Sequence, residues 1–267
     1  MICDSYLWSF VKTDSIFCNV NKLKYARWLY DEQIEEELDH TKKNILIIEV
    51  AERHILKLLR DTLEMYYSIR VSKKGIDLLW KRKPETFYQK VLRYLYNEKI
   101  NQNLEFNLFD YSFFTPFREL KAELNYRLFN RTDKDVSIST DKQYLFYIAT
   151  TDTSKITSSF YKVKEQDIKD VIFCTNRAYY YFKKLGFDEI YLSIVPNPVT
   201  ITDPGYGVNN GLIDIIQNSR DLKVPLINIF PLFKNSQKEL YYRSDSHWNY
   251  DGFQIWLDEV NKILKNY

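Results

Sequence analysis

The chain has 267 residues, 45% of them hydrophobic, enough to bury a substantial core and to exclude a disordered chain. Lysines and arginines number 38 against 36 aspartates and glutamates, a formal charge of +2, so no global electrostatic argument points to nucleic acid or to a membrane surface. Cys3, Cys18 and Cys174 lack metal-ligand spacing and cannot all pair, and neither a signal-peptide pattern nor a bilayer-length apolar run is visible, so the sequence reads as a soluble protein without a disulfide framework or zinc site.

In chain order, Met1 and Ile2 are expected to be the end of a first strand, with Ser5 just beyond it. So little strand precedes the serine that the pattern is one of a first strand beginning upstream. A polar helix is expected around Asp31 to His40, and the β-branched run Ile45 to Ile48 reads as a buried parallel strand followed by Glu49 and Arg53. From about residue 54 to 130 the apolar spacing turns helical, with Leu56, Leu59, Leu63 and Tyr66 on one face and Val91, Leu92 and Leu95 on another, which predicts a helical insertion ending in the amphipathic stretch Phe117 to Phe129. Beyond Val136, short strands alternate with helices. The expected elements are a strand at Tyr144 to Ile148, a helix from Glu165 to Leu185 stopped by Gly186, and a strand at Ile190 to Val195 ended by Pro196-Asn197-Pro198. A helix at Asn210 to Leu222, a strand at Pro225 to Ile229 and a closing helix from Tyr250 to Lys265 complete the pattern. Strand and helix in alternation imply one α/β domain over residues 1–267, a parallel sheet with helices on both faces.

Reactive groups in such a sheet gather at the carboxyl ends of the strands. Ser5, the Glu49 to Arg53 segment, Asn197 and the Asp245 to His247 segment are all expected at that edge. A serine, a histidine and a carboxylate are the parts of a nucleophilic triad, in which imidazole takes the hydroxyl proton and the carboxylate fixes its tautomer. Ser5, His247 and Asp245 fill those roles, with Trp248 as an apolar wall and a helix beginning near Tyr6 to present N–H groups to an oxyanion. Cys3 lies inside the strand and points elsewhere. Arg53 either pairs with Glu49 to close a turn or binds a substrate oxygen. His40 and His54 read as surface or capping residues. The 22 tyrosines and 17 phenylalanines read mainly as core, although a sugar-binding cleft would also use aromatic faces. Lys81-Arg82-Lys83, between Trp80 and Tyr88, reads as a solvated helix end or as a contact for an anionic polymer.

These residues carry a family resemblance. Ile2-Cys3-Asp4-Ser5-Tyr6 resembles the first block of the SGNH (GDSL-type) hydrolases, with Cys3 where the family has glycine. Ser244-Asp245-Ser246-His247-Trp248-Asn249 followed by Gly252 is similar to the D-T-H-W-x-x-x-G block of the alginate O-acetyltransferase-like branch. Ile48 to Arg53 resembles that branch's E-x-x-E-R segment, Tyr144 to Tyr147 its W-L-F strand, and Ser193 to Asn197 its V-P-x-K loop, with Pro198 in the lysine position. The serine block precedes the histidine block, as in ordinary SGNH hydrolases. The resemblance implies a three-layer α/β/α fold with a helical insertion and a serine-dependent O-acyltransferase or esterase. Ser5 would be the nucleophile, His247 the base and Asp245 its orienter, with Tyr6, Arg53, Glu49, Asn197 and Trp248 as substrate or oxyanion contacts. It implies a carbohydrate or polysaccharide acceptor, an acyl donor with a membrane-bound transfer partner, an extracytoplasmic setting, and no cofactor, metal or nucleic acid. The alternative is a catalytically silent carbohydrate-binding or scaffold protein of the same fold.

Overall fold

The computed structural model describes residues 1–7, 10–11, 14–27, 34–60, 66, 69–71, 87 and 134–267. The chain divides into two compact units, Met1–Gly75 with Asp135–Tyr267, and Ile76–Lys134. The sites expected at Lys81 to Lys83 and along Val91 to Phe129 lie outside the described residues.

The strands of the first unit are β1 (Ile2–Cys3), β2 (Ala26–Arg27), β3 (Ile34–Glu36), β4 (Ile45–Ala51), β5 (Ile69–Val71), β6 (Val136–Ile138), β7 (Leu145–Tyr147), β8 (Glu189–Val195) and β9 (Leu226–Ile227). Five of them form a sheet in the order β2-β1-β4-β8-β9, with every neighbouring pair parallel. The long central pair runs in register from Ile45 opposite Glu189 to Ala51 opposite Val195, and Ile2 of β1 pairs with Ile48. The α/β alternation expected from the sequence is therefore present. The α-helices described in full are α1 (Glu165–Leu185), α2 (Pro198–Thr202), α3 (Leu212–Gln217), α4 (Phe230–Lys234) and α5 (Tyr250–Leu264).

Side chains alternate across a strand, and both faces of this sheet are covered, which is why the strands read as unbroken apolar runs. Leu46, Ile48 and Val50 of β4 join Ile190, Leu192 and Ile194 of β8 in one core with Val171, Ala178 and Phe182 of α1 and Leu212, Ile213 and Ile216 of α3. Ile47 and Ala51 belong to the other core, with Phe253, Trp256, Leu257, Val260 and Leu264 of α5. The one buried polar side chain facing α5 from β8 is satisfied, since Trp256 Nε1 donates to Ser193 Oγ at 3.1 Å.

Helix α1 has the predicted limits for identifiable reasons. The Asp167 carboxylate accepts the Lys164 N–H at 3.2 Å, acidic residues fill the first turn, Lys183 and Lys184 the last, and Gly186 ends the helix at φ 109°. Elsewhere the sequence expectations need correction. The acidic stretch expected as a helix around Asp31 to His40 contains strand β3, paired in parallel with Ile69–Val71. Ile34 and Leu38 pack into the first core there, and this pairing overrides a local helical propensity. Glu49, expected after its strand, stands inside β4 opposite Ser193, because the strand runs on to Ala51. The helix expected over Asn210 to Leu222 is the shorter α3, and the strand expected over Pro225 to Ile229 is the two-residue β9. Among the described residues no helix is long and apolar enough to cross a membrane.

Candidate active site

Strand β1 lies inside the sheet, between β2 and β4. The chain adds β2 on one side of it and then β4, β8 and β9 on the other, so its direction of travel reverses between β1 and β4. Such reversals open a crevice beyond the carboxyl ends of the two strands. Ser5 opens the 3-10 turn Ser5–Leu7 just after β1, and Arg53 lies in the 3-10 turn Glu52–His54 directly after β4. The two side chains meet there, with Arg53 Nη2 3.4 Å from Ser5 Oγ.

His247 reaches the same point from the far end of the chain on a tight reversal. Tyr241 and Trp248 form an antiparallel bridge, the Tyr242 N–H donates to the His247 carbonyl at 3.2 Å, and the Asn249 N–H donates to the Leu240 carbonyl at 2.9 Å. Two anchors hold this reversal against the body. The Tyr241 hydroxyl donates to the Pro196 carbonyl at 2.7 Å, and the fully buried Trp248 donates its indole N–H to the Tyr6 carbonyl at 2.9 Å. Asn249 then caps α5 by accepting the Gly252 N–H at 3.1 Å. Gly252 is required by space, since a Cβ there would stand 2.5 Å from the Leu240 carbonyl oxygen and 2.8 Å from Trp248 Cβ. We expect Gly252→Ala to cost about 1–3 kcal/mol in denaturant melts, because backbone rather than a flexible side chain must yield. Trp248, Asn249 and Gly252 of the Asp-x-His-Trp-Asn-x-x-Gly run thus each have a local mechanical reason for their place.

Ser5, His247 and Asp245 form a chain of contacts. His247 Nε2 lies 2.8 Å from Ser5 Oγ, and His247 Nδ1 lies 2.6 Å from Asp245 Oδ1, which also accepts the His247 N–H at 3.1 Å. An ionised carboxylate only accepts, so the ring proton belongs on Nδ1 and a neutral His247 presents Nε2 as an acceptor to the serine. Asp245 is half exposed, at 54% of its side chain, while His247 is at 31%.

Behind the serine the site is buried and charged. The Asp4 carboxylate accepts the Ser5 N–H at 2.7 Å and touches His54 Nδ1 through its other oxygen. Burial alone would raise the pKa of Asp4, but His54, the Arg53 charge and the Ser5 N–H outweigh it and hold the carboxyl well below the usual range. Burial and the neighbouring Asp4 charge push Glu49 well above its ordinary value, and Glu49 accepts the Asp4 N–H at 2.7 Å. Arg53 loses solvation on burial, yet Tyr6, Asp4 and Glu49 more than compensate and its pKa rises. It therefore stays cationic.

Several expected contacts take other roles. Tyr6 is buried, accepts from Arg53 Nη1 at 3.1 Å and donates to the Ser246 carbonyl at 2.5 Å, so it joins the arginine to the histidine loop and does not line a substrate surface. Trp248 is likewise an anchor. Glu49 holds the Asp4 N–H and also attracts the Arg53 charge. Asn197 is fully buried in a separate network. Its N–H donates to Glu52 Oε2 at 2.7 Å and its amide to Ser159 Oγ at 2.9 Å, while Thr200 donates to the same Glu52 oxygen at 2.8 Å. Burial raises the pKa of Glu52 there. Cys3 is buried in β1, its thiol 3.8 Å from the Ala26 carbonyl. Sequence reasoning misses Asp4 and the part played by His54. The signal available is their position, each next to a residue already singled out at a strand end.

Among the described residues no cluster of three His, Cys, Asp or Glu side chains is placed to hold a metal ion. No protein-family model, no curated protein and no solved structure matches this chain.

Proposed function

We propose that the protein is a serine-dependent O-acyltransferase or esterase of the SGNH type, acting on acyl groups, most simply acetyl, carried by a carbohydrate. The observation that carries this reading is the continuous contact from Ser5 Oγ through His247 to Asp245. The parallel sheet with an apolar core on each face supports the three-layer arrangement that the resemblance implies.

In the reaction, Ser5 Oγ attacks the acyl carbonyl carbon as its proton passes to His247 Nε2. The carbonyl oxygen becomes an oxyanion, and the buried Arg53 guanidinium is the cation nearest the attacking atom, suited to stabilising that charge. Collapse breaks the bond to the leaving alcohol, which takes the proton from His247 and leaves an acyl group on Ser5. A sugar hydroxyl or water then attacks the acyl-serine, with His247 as base again. The carbohydrate and the choice of acceptor come from the resemblance.

Incubation with a fluorophosphonate followed by peptide mapping tests the reading. An adduct on Ser5 is expected. The silent carbohydrate-binding alternative is favoured by one observation, that the Ser5 N–H is spent on Asp4 and not turned towards an incoming oxyanion; an unmodified Ser5 would select it. Within the triad, Asp245→Asn is expected to lower kcat roughly 10- to 100-fold, less than the ~10⁴-fold of a buried triad aspartate, because solvent screens a half-exposed carboxylate. Steady-state hydrolysis of p-nitrophenyl acetate measures it.

A further inference from the structure

Ser5 Oγ has one proton to give and two lone pairs to offer. Three groups surround it: His247 Nε2 at 2.8 Å, Asp4 Oδ1 at 3.3 Å and Arg53 Nη2 at 3.4 Å. Arginine only donates, so it occupies a lone pair. The imidazole and the carboxylate therefore compete for a single proton. A hydroxyl that points at the carboxylate has no base in line for attack, and an ionised, buried carboxylate is a strong acceptor.

Asp4 is kept from winning by what else it holds. Its Oδ1 is engaged by the Ser5 N–H at 2.7 Å, and its Oδ2 is in contact with His54 Nδ1 and accepts the Ala51 N–H at 3.4 Å. His54 ends the turn after β4 and makes no helix-capping contact, and its side chain is 17% exposed. Resting on the acyl-transfer reading above, we infer that His54 and Asp4 form a second histidine–carboxylate pair whose role is positional: His54 clamps the Asp4 carboxylate so that Ser5 directs its hydroxyl proton to His247. No proton leaves this pair during the reaction. His54 is not among the groups around the reacting oxygen, and acts only through Asp4.

The test compares wild type, His54→Ala and His54→Asn, since asparagine places an amide nitrogen where Nδ1 stands. The readouts are the rate constant for phosphonylation of Ser5 by a fluorophosphonate, and kcat and KM for p-nitrophenyl acetate, with thermal melts to confirm folding. His54→Ala is expected to slow phosphonylation and kcat together by about 10- to 100-fold with KM changed less than about threefold, the signature of a misplaced nucleophile. His54→Asn is expected to restore most of the rate. A folded His54→Ala that reacts like wild type overturns the inference, as does a folded His54→Asn that stays as slow as the alanine variant. Should the alanine variant not fold, His54→Asn decides alone: near-wild-type rates support the clamp, and a rate about tenfold lower in a folded protein rejects it. A wild type whose Ser5 takes no label removes the acyl-transfer reading and this inference together. A labelled wild type with rates indifferent to residue 54 removes the inference alone.

Discussion

Replacing Ser5 with alanine is expected to abolish fluorophosphonate labelling and to lower kcat for p-nitrophenyl acetate by at least about 10⁴-fold. The size follows from the geometry. On the acyl-transfer reading Ser5 supplies the attacking oxygen, and no other hydroxyl stands 2.8 Å from His247 Nε2 among the described residues. The fold should survive, because Ser5 is only partly buried and its backbone N–H can still donate to Asp4. His247→Ala should cost nearly as much, and the double variant little more than either single one, since members of one catalytic unit fail together. Additive losses in the double variant would mean that serine and histidine do not share a step.

The largest expected effect on stability belongs to Trp248. Trp248→Ala should cost about 3–5 kcal/mol in denaturant unfolding. The ring is fully buried among Tyr6, Phe233, Phe253 and Trp256, with centroids 5.4 to 6.3 Å away, and it sits directly beside His247. Trp248→Phe separates two contributions. It keeps most of the apolar filling but leaves the Tyr6 carbonyl without its indole donor, a loss of about 1–3 kcal/mol for a buried acceptor. If the alanine variant melts like wild type, the anchoring role assigned to the indole is wrong.

What the sequence discloses is governed by how local the cause is. Helix α1 announces its own ends, through Asp167 at the start and Gly186 at the finish, and both are readable within a few residues. The proximity of Ser5 and His247 is legible through the resemblance of their two blocks and through strand-end logic, which places residues at an edge without saying which of them touch. Asn197 shows the limit of that logic. It lies at a strand end as expected, but its amide goes to Ser159, a contact across 38 positions that no local pattern encodes. His54 reads as peripheral because its neighbours in sequence are ordinary in type, whereas its partner Asp4 lies 50 positions away. The acidic run around β3 misleads for the opposite reason: local propensity is clear, and pairing with β5 overrules it.

The 242 positions between Ser5 and His247 also order events in time. On a ribosome adding about 5–20 residues per second, the serine emerges roughly 12–48 s before the histidine. Throughout that interval the nascent chain carries the Ser5 hydroxyl without His247 beside it. On the acyl-transfer reading, activation of that hydroxyl requires the Tyr241–Trp248 reversal to be seated against Tyr6. On that same reading, synthesis itself works as a safety catch, since a chain that stops short of His247 lacks the half of the site that would let Ser5 be acylated.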